Sequence, residues 1–250
     1  MKVFKLVVAY DGTDFRGWQR QPAGRTVQGA LEDALFRVTQ KRVAVLGAGR
    51  TDAGVHAAGQ AASFRASLKL PDADLFRALN AVLPGDVRVL SLAPAAPDFH
   101  ARRSAVSKTY EYRIVTSRLV SPFDFRFALH VPARLNVAAM RRAAALFVRE
   151  ADFSAFTSNR EYDPVRRVTR SELRRRGDVL VYAVAANGFL RYMVRTIVGT
   201  LLEVGRGKLP PEAVETIFAV RDRGLAGPTA PAKGLCLVRV EYGAADRPPL

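Results

Sequence analysis

Thr26-Val27-Gln28-Gly29-Ala30-Leu31-Glu32-Asp33-Ala34-Leu35-Phe36-Arg37-Val38 sets Val27, Ala30, Leu31, Ala34, Leu35 and Val38 on one helical stripe, with Thr26 placed to cap it. Upstream, Val3 to Ala9 is strand-like and is separated from this helix by a polar loop. Downstream, Val43 to Leu46 and Gln60 to Arg65 read as strands flanking a glycine-rich segment. Leu75, Phe76, Leu79 and Leu83 mark a second helix that ends before Pro84-Gly85, and Val87 to Leu92 reads as a further strand. The resulting order, β-α-β-β-α-β, is that of a split βαβ unit with helices on one face of an antiparallel sheet.

Pro94 and Pro97 punctuate an Ala-rich connector, after which the same grammar returns. An alternating strand covers Lys108 to Val115, and Val137, Met140, Ala144 and Phe147 lie on one side of a helix. Arg167 to Arg175 and Val179 to Ala185 read as a hairpin turning at Gly177-Asp178. A strongly apolar helix then carries Leu190, Met193, Val194, Ile197 and Leu201, with Gly205 placed to stop it. A short helix from Pro211 to Val220 and a strand from Leu235 to Tyr242 follow. The expectation is an α+β protein of two βαββαβ-type halves with antiparallel sheets. Residues 1–98 carry the glycine-rich loop, and residues 99–250 complete a basic cleft where the halves meet.

The chain has 250 residues and is 49% hydrophobic, enough for one large core or two smaller ones without covalent staples. Nothing resembles a signal peptide, and no stretch approaches the roughly 18 apolar residues of a membrane span. A cytoplasmic protein is expected. Cys236 is the sole cysteine, and three His with it show no metal-ligand spacing, so no metal is expected. Lys plus Arg number 39 against 23 Asp plus Glu, a net charge of +16 that fits a polyanionic partner, nucleic acid first. Lys supplies only seven of the cations, so planar guanidinium forks that grip phosphate in bidentate fashion dominate. A GC-rich genome would explain Arg over Lys, though not the net excess.

Residue types narrow the chemistry. There is no Gly-x-Ser-x-Gly elbow, and Cys236 lies in a terminal strand with no nearby His. Gly47-Ala48-Gly49-Arg50-Thr51-Asp52 follows a strand, yet it carries Asp52 at the third glycine position of a dinucleotide loop, where a carboxylate repels pyrophosphate. No Gly-Lys-Ser/Thr follows to make a P-loop. What remains is Asp52 beside Arg50, with Gly47, Gly49 and Gly54 letting backbone pass close to a ligand. A neighbouring guanidinium keeps a carboxylate ionised, as a nucleophile or base requires. The plainer alternative is an Asp that caps a turn beside a solvated Arg.

Gly49-Arg50-Thr51-Asp52-Ala53-Gly54-Val55-His56-Ala57 resembles the signature of the tRNA pseudouridine synthase A (TruA) family. Tyr10-Asp11-Gly12-Thr13-Asp14-Phe15-Arg16-Gly17-Trp18-Gln19 resembles the family's first loop. Phe99-His100-Ala101-Arg102 with Lys108-Thr109-Tyr110-Glu111-Tyr112, then Phe153-Ser154-Ala155-Phe156, then Gly188-Phe189-Leu190-Arg191-Tyr192-Met193-Val194-Arg195 resemble later blocks in the same order. The resemblance implies isomerisation of uridine to pseudouridine in the anticodon arm of tRNA, at positions 38, 39 and 40, without an organic cofactor and by a homodimer. It makes Asp52 the catalytic carboxylate and places Tyr110 at the family's tyrosine, where a ring can stack on uracil and a hydroxyl can move a proton. It also makes Arg195 the basic partner of Asp52, with Arg191 the competitor four residues away on the same helix. Arg50 is expected to fill the gap left by the extruded nucleotide.

Three points stay open on the residues alone. Tyr110 and Tyr112 could be ordinary strand tyrosines, Trp18 could stack on a base but is better placed to pack, and Leu190 to Val204 could line a subunit interface or a domain core. Arg16, Arg20, Arg25, Arg102-Arg103, Arg141-Arg142, Arg166-Arg167 and Arg174 to Arg176 are candidates for phosphate. A non-catalytic RNA-binding module using the same basic groove, and a nucleotide-binding enzyme using the glycine-rich loop, are the rival readings.

Overall fold

The computed structural model describes residues 1–158 and 163–243. In chain order its elements begin with β1 (Lys2–Tyr10), α1 (Val27–Thr39), β2 (Leu46–Gly47), β3 (His56–Ala66), α2 (Asp72–Val82) and β4 (Val87–Ala95). They continue with β5 (Ala105–Val115), β6 (Leu129–His130), α3 (Val137–Ala145), β7 (Glu150–Asp152), β8 (Val165–Arg176), β9 (Val179–Ala186), α4 (Met193–Gly205), α5 (Ala213–Val220) and β10 (Leu235–Tyr242). The chain divides into two units, residues 1–107 with the C-terminal chain from Cys236, and Lys108–Leu235. Among the described residues, no helix is long and apolar enough to cross a membrane.

In the first unit the strand order is β4-β1-β3-β10, with β2 also on β3. β1 pairs antiparallel with β3 and β4, whereas β10 joins β3 in parallel, with Cys236 opposite His56 and Leu237 opposite Ala57. Thr26 caps α1 as expected, its Oγ1 accepting from the Gly29 N–H at 3.2 Å. Phe4 and Phe64 face each other across β1 and β3 and stack at 5.0 Å, each side chain worth about 1.5–3 kcal/mol when buried. A further cluster joins Val3, Ala48, Ala61, Phe99, Ala101 and Tyr242, so the last strand closes a core begun by the first.

Two local expectations are corrected here. Val43 to Val45 forms no strand: the Val45 N–H donates to Glu32 Oε1 and its carbonyl accepts from Gln28 Nε2, so side chains of α1 replace a ladder. Pro94 lies within β4 and not in a connector, opposite Phe4. Its missing N–H is tolerated because β4 is an edge strand.

In the second unit the order is β5-β9-β8-β7, with β6 parallel on β5 and the others antiparallel. The hairpin β8–β9 turns at Gly177-Asp178, where Gly177 has φ 58. Tyr112 and Tyr182 are register partners and both fully buried. Burial pushes both phenols up, and their hydroxyls meet Pro231 O and Ser171 Oγ, each at 2.8 Å. α4 is buried round most of its circumference and packs on α3, so its apolar residues fill this unit's core.

Candidate active site

Asp52 sits in the connection from β2 to β3, and the sequence of this connection makes few regular hydrogen bonds, so other segments must hold it. The loop after β1 does so with its backbone. Trp18 N donates to Thr51 O at 3.0 Å, Gly54 N donates to Phe15 O at 3.3 Å, and Val55 N closes a turn on Asp52 O at 3.1 Å. Side chains add to this from below. Tyr10 Oη lies 2.8 Å from Thr51 Oγ1, and Gln60 Nε2 donates to Gly49 O at 2.8 Å. Tyr10, Thr51 and Gln60 are all buried, whereas Asp52 is half-buried.

The far end of the connection is fixed at His56, which is buried. Its Nδ1 accepts from Gly12 N at 3.0 Å, and Asp11 Oδ1 lies 3.1 Å from the same nitrogen. Asp11 Oδ1 meanwhile takes the Thr13 N–H and hydroxyl at 3.0 and 2.6 Å. Gly12 passes so close that a Cβ there would lie 1.9 Å from Val55 O, a backbone atom no rotamer change can move. Gly12→Ala is therefore expected to destabilise the protein by about 1–3 kcal/mol. Thermal unfolding checks this; an unchanged midpoint would show that the two loops are not locked together.

Trp18 is 2% exposed, which decides for packing. The space a Gly47 side chain would need is filled by its ring, 2.5 Å from the ideal Cβ, so Gly47 makes room for Trp18 and not for a ligand. The neighbouring Gln19 holds Arg50: Arg50 Nε donates to Gln19 Oε1 at 3.0 Å, and Gln19 Nε2 donates to Gln28 Oε1 at 2.6 Å. Arg50 is thereby oriented although exposed. Several of the phosphate candidates have internal partners, Arg20 and Arg25 among them. Arg20 reaches Glu32 and Asp33 at 2.9 and 3.3 Å, and Arg25 forms a fork on Asp86 at 2.5 and 2.7 Å while covering the Phe15 ring.

In the second unit Tyr110 is 7% exposed and meets Phe189 edge-to-face at 5.1 Å. Its strand neighbour Tyr112 is fixed by packing and by Pro231 O, which settles Tyr112 as a core residue. Arg191 and Arg195 do not share a helix, contrary to the spacing argument. α4 begins at Met193 after Tyr192, whose φ of 63 breaks the regular path, and Arg191 lies before it. Both guanidiniums instead cover the Tyr192 ring, at 4.8 and 5.2 Å. Arg195 is half-buried and doubly tied to Ala230, donating Nε to its carbonyl at 2.7 Å and accepting its N–H at 3.0 Å. Arg191 is exposed, with Nη2 on the Tyr192 hydroxyl at 2.9 Å.

A model of the family described as tRNA pseudouridine synthase matches residues 6–102 and 143–243, a span that contains Arg50, Asp52 and Arg195. The chain belongs to the tRNA pseudouridine synthase family. This member of the family is 46% identical over 248 residues to a tRNA pseudouridine synthase A of Moorella thermoacetica, covering 97% of this chain and all of the relative. It is 47% identical over 238 residues to one from Halalkalibacterium halodurans, covering 94% and 90%, and 44% identical over 241 residues to one from Geobacillus kaustophilus, covering 95% and 93%. Its family is one of isomerases.

Sequence reasoning missed the residues that support the Asp52 loop in this pseudouridine synthase family member, Tyr10, Thr51, Gln60 and the Gly12–His56 pair, and Gln19, which holds Arg50. Gln60 did carry a signal, since an amide amid the Ala-rich run His56–Ala66 must find a partner once buried. Cys236 carried none. Strand pairing sets it opposite His56, so the expectation of no nearby His is overturned.

Proposed function

We propose that this chain converts uridine to pseudouridine in the anticodon arm of tRNA, at positions 38, 39 and 40, with Asp52 as the catalytic carboxylate. The observation that carries the reading is the contrast within one loop. The backbone either side of Asp52 is tied down by buried bonds, while the Asp52 side chain itself is only half-buried. The reaction needs such a group and no redox partner. The bond from ribose C1′ to uracil N1 breaks, the base turns, C1′ bonds to C5, the C5 proton is lost and N1 gains one. Because the base is detached in mid-reaction, groups must hold it and exclude water.

Arg50, Tyr110 and Arg195 are assigned to binding and orienting the substrate. Arg50 stands ready on Gln19, and an extruded nucleotide, which costs a few kcal/mol to unstack, leaves a gap that a guanidinium can fill. Arg195 is preferred to Arg191 as the partner of Asp52, since its bonds to Ala230 give it one fixed geometry. Tyr110 offers a ring to stack and a hydroxyl for proton movement. The homodimer implied by the resemblance and the cytoplasmic location expected from the sequence belong to the same proposal.

The direct test is position-resolved mapping of pseudouridine in unmodified tRNA before and after incubation with the purified protein. New pseudouridine confined to positions 38–40 is expected, and conversion at other positions or none would overturn the reading. Tyr110→Phe is expected to keep most tRNA affinity and to slow turnover about 10²-fold, the lower end of what a positioned proton-transfer group contributes. An unchanged single-turnover rate would reduce Tyr110 to a packing partner of Phe189.

A further inference from the structure

We propose that Thr51, through the bond between its hydroxyl and that of Tyr10, is a positioning residue that sets where the Asp52 carboxylate stands; this rests on the reading of Asp52 as the catalytic group. Thr51 directly precedes Asp52; bonds from two neighbours converge on it, and a third holds the residue two before it. Its Oγ1 is 2.8 Å from Tyr10 Oη, its carbonyl accepts from Trp18 N at 3.0 Å, and Gly49 two residues earlier accepts from Gln60 Nε2 at 2.8 Å.

The burial of these groups makes the arrangement discrete. Thr51 is 6% exposed, Tyr10 4% and Gln60 0%. A buried hydroxyl that loses its partner cannot turn to water, so Thr51 has one favourable place and not a continuum of them. Gln60 keeps its amide nitrogen on the loop even though its Oε1 is buried without a hydrogen-bond partner. Tyr10 is not itself a proton-transfer group. Burial pushes its phenol well above the ordinary range, against the smaller opposing effects of Thr51 and Gln60, so it stays protonated. Its chemical role is to fix the residue beside Asp52, and displacing a reacting group by about 1 Å costs about 10²-fold in rate.

The test compares Thr51→Val, Thr51→Ser, Tyr10→Phe and the Tyr10→Phe/Thr51→Val double variant, with Asp52→Asn alongside, on unmodified tRNA. Thr51→Val and Tyr10→Phe are each expected to lower kcat about 10- to 100-fold with KM and tRNA Kd unchanged. The double variant should be no slower than the slower single one, because both remove the same bond. Thr51→Ser, which keeps the hydroxyl, should restore kcat. If Thr51→Val does not fold, Tyr10→Phe, which removes one oxygen and keeps the buried ring, decides. Wild-type kcat in Tyr10→Phe and Thr51→Val beside an inactive Asp52→Asn would overturn the positioning role alone, as would an additive double variant or failure of Thr51→Ser to rescue. Turnover retained by Asp52→Asn would instead overturn the reading on which it rests.

Discussion

Asp52→Asn is expected to reduce pseudouridine formation by about 10⁴-fold or more while tRNA binding persists, since loss of a group acting directly on the reacting bond removes nearly all the chemistry. Asn has the same shape and can occupy the same place in the loop, but it is neither a carboxylate nucleophile nor a base at neutral pH. The bonds that hold the loop, Tyr10 to Thr51, Trp18 to Thr51 and Gln60 to Gly49, do not involve the substituted side chain. Removing a negative charge from a protein that grips a polyanion should, if anything, favour binding. Single-turnover assays beside filter binding at one salt concentration separate the two quantities. Turnover in Asp52→Asn would remove the residue from its role; a wild-type chain that binds tRNA but never modifies it would favour the non-catalytic RNA-binding module.

The second large effect is on affinity. Even if all 23 Asp and Glu were paired one to one, as several are with Arg20, Arg25, Arg149, Arg174 and Arg206, the net charge of +16 would remain on unpaired cations. If roughly 6 to 10 phosphates are neutralised, tRNA affinity should fall about 10³- to 10⁵-fold between 50 and 200 mM salt, through release of condensed counterions. A logarithmic plot of Kd against salt, measured on the Asp52→Asn protein so that turnover does not interfere, gives the slope. A nearly flat plot would mean that contacts to bases carry the affinity and that the excess of arginine has another origin.

The two experiments bear on different parts of the chain. The catalytic variant interrogates one loop whose place is set by neighbours within the first unit. The salt series interrogates the whole surface, where single arginines are individually weak and only their sum is measurable.

Elements built from local contacts were legible in the amino-acid sequence by itself. The stripe and hydroxyl cap of Val27–Thr39 and the hairpin of Val165–Arg176 with Val179–Ala186 are read within one window, because their bonds join residues a few positions apart. The motif around Asp52 was legible too, as a run of residue types. Only the tertiary structure decided what holds that motif. Tyr10 meets Thr51 across 41 residues, Gly47 gives its space to Trp18, and the last strand lies beside His56, which no periodicity encodes. Val43 to Val45 shows the same limit from the other side, since an apolar run looks like a strand whether a neighbouring strand or the side chains of Gln28 and Glu32 take its backbone bonds. Hydrogen bonds between distant segments form only once the chain has closed on itself, so the residues that place Asp52 became identifiable only in three dimensions.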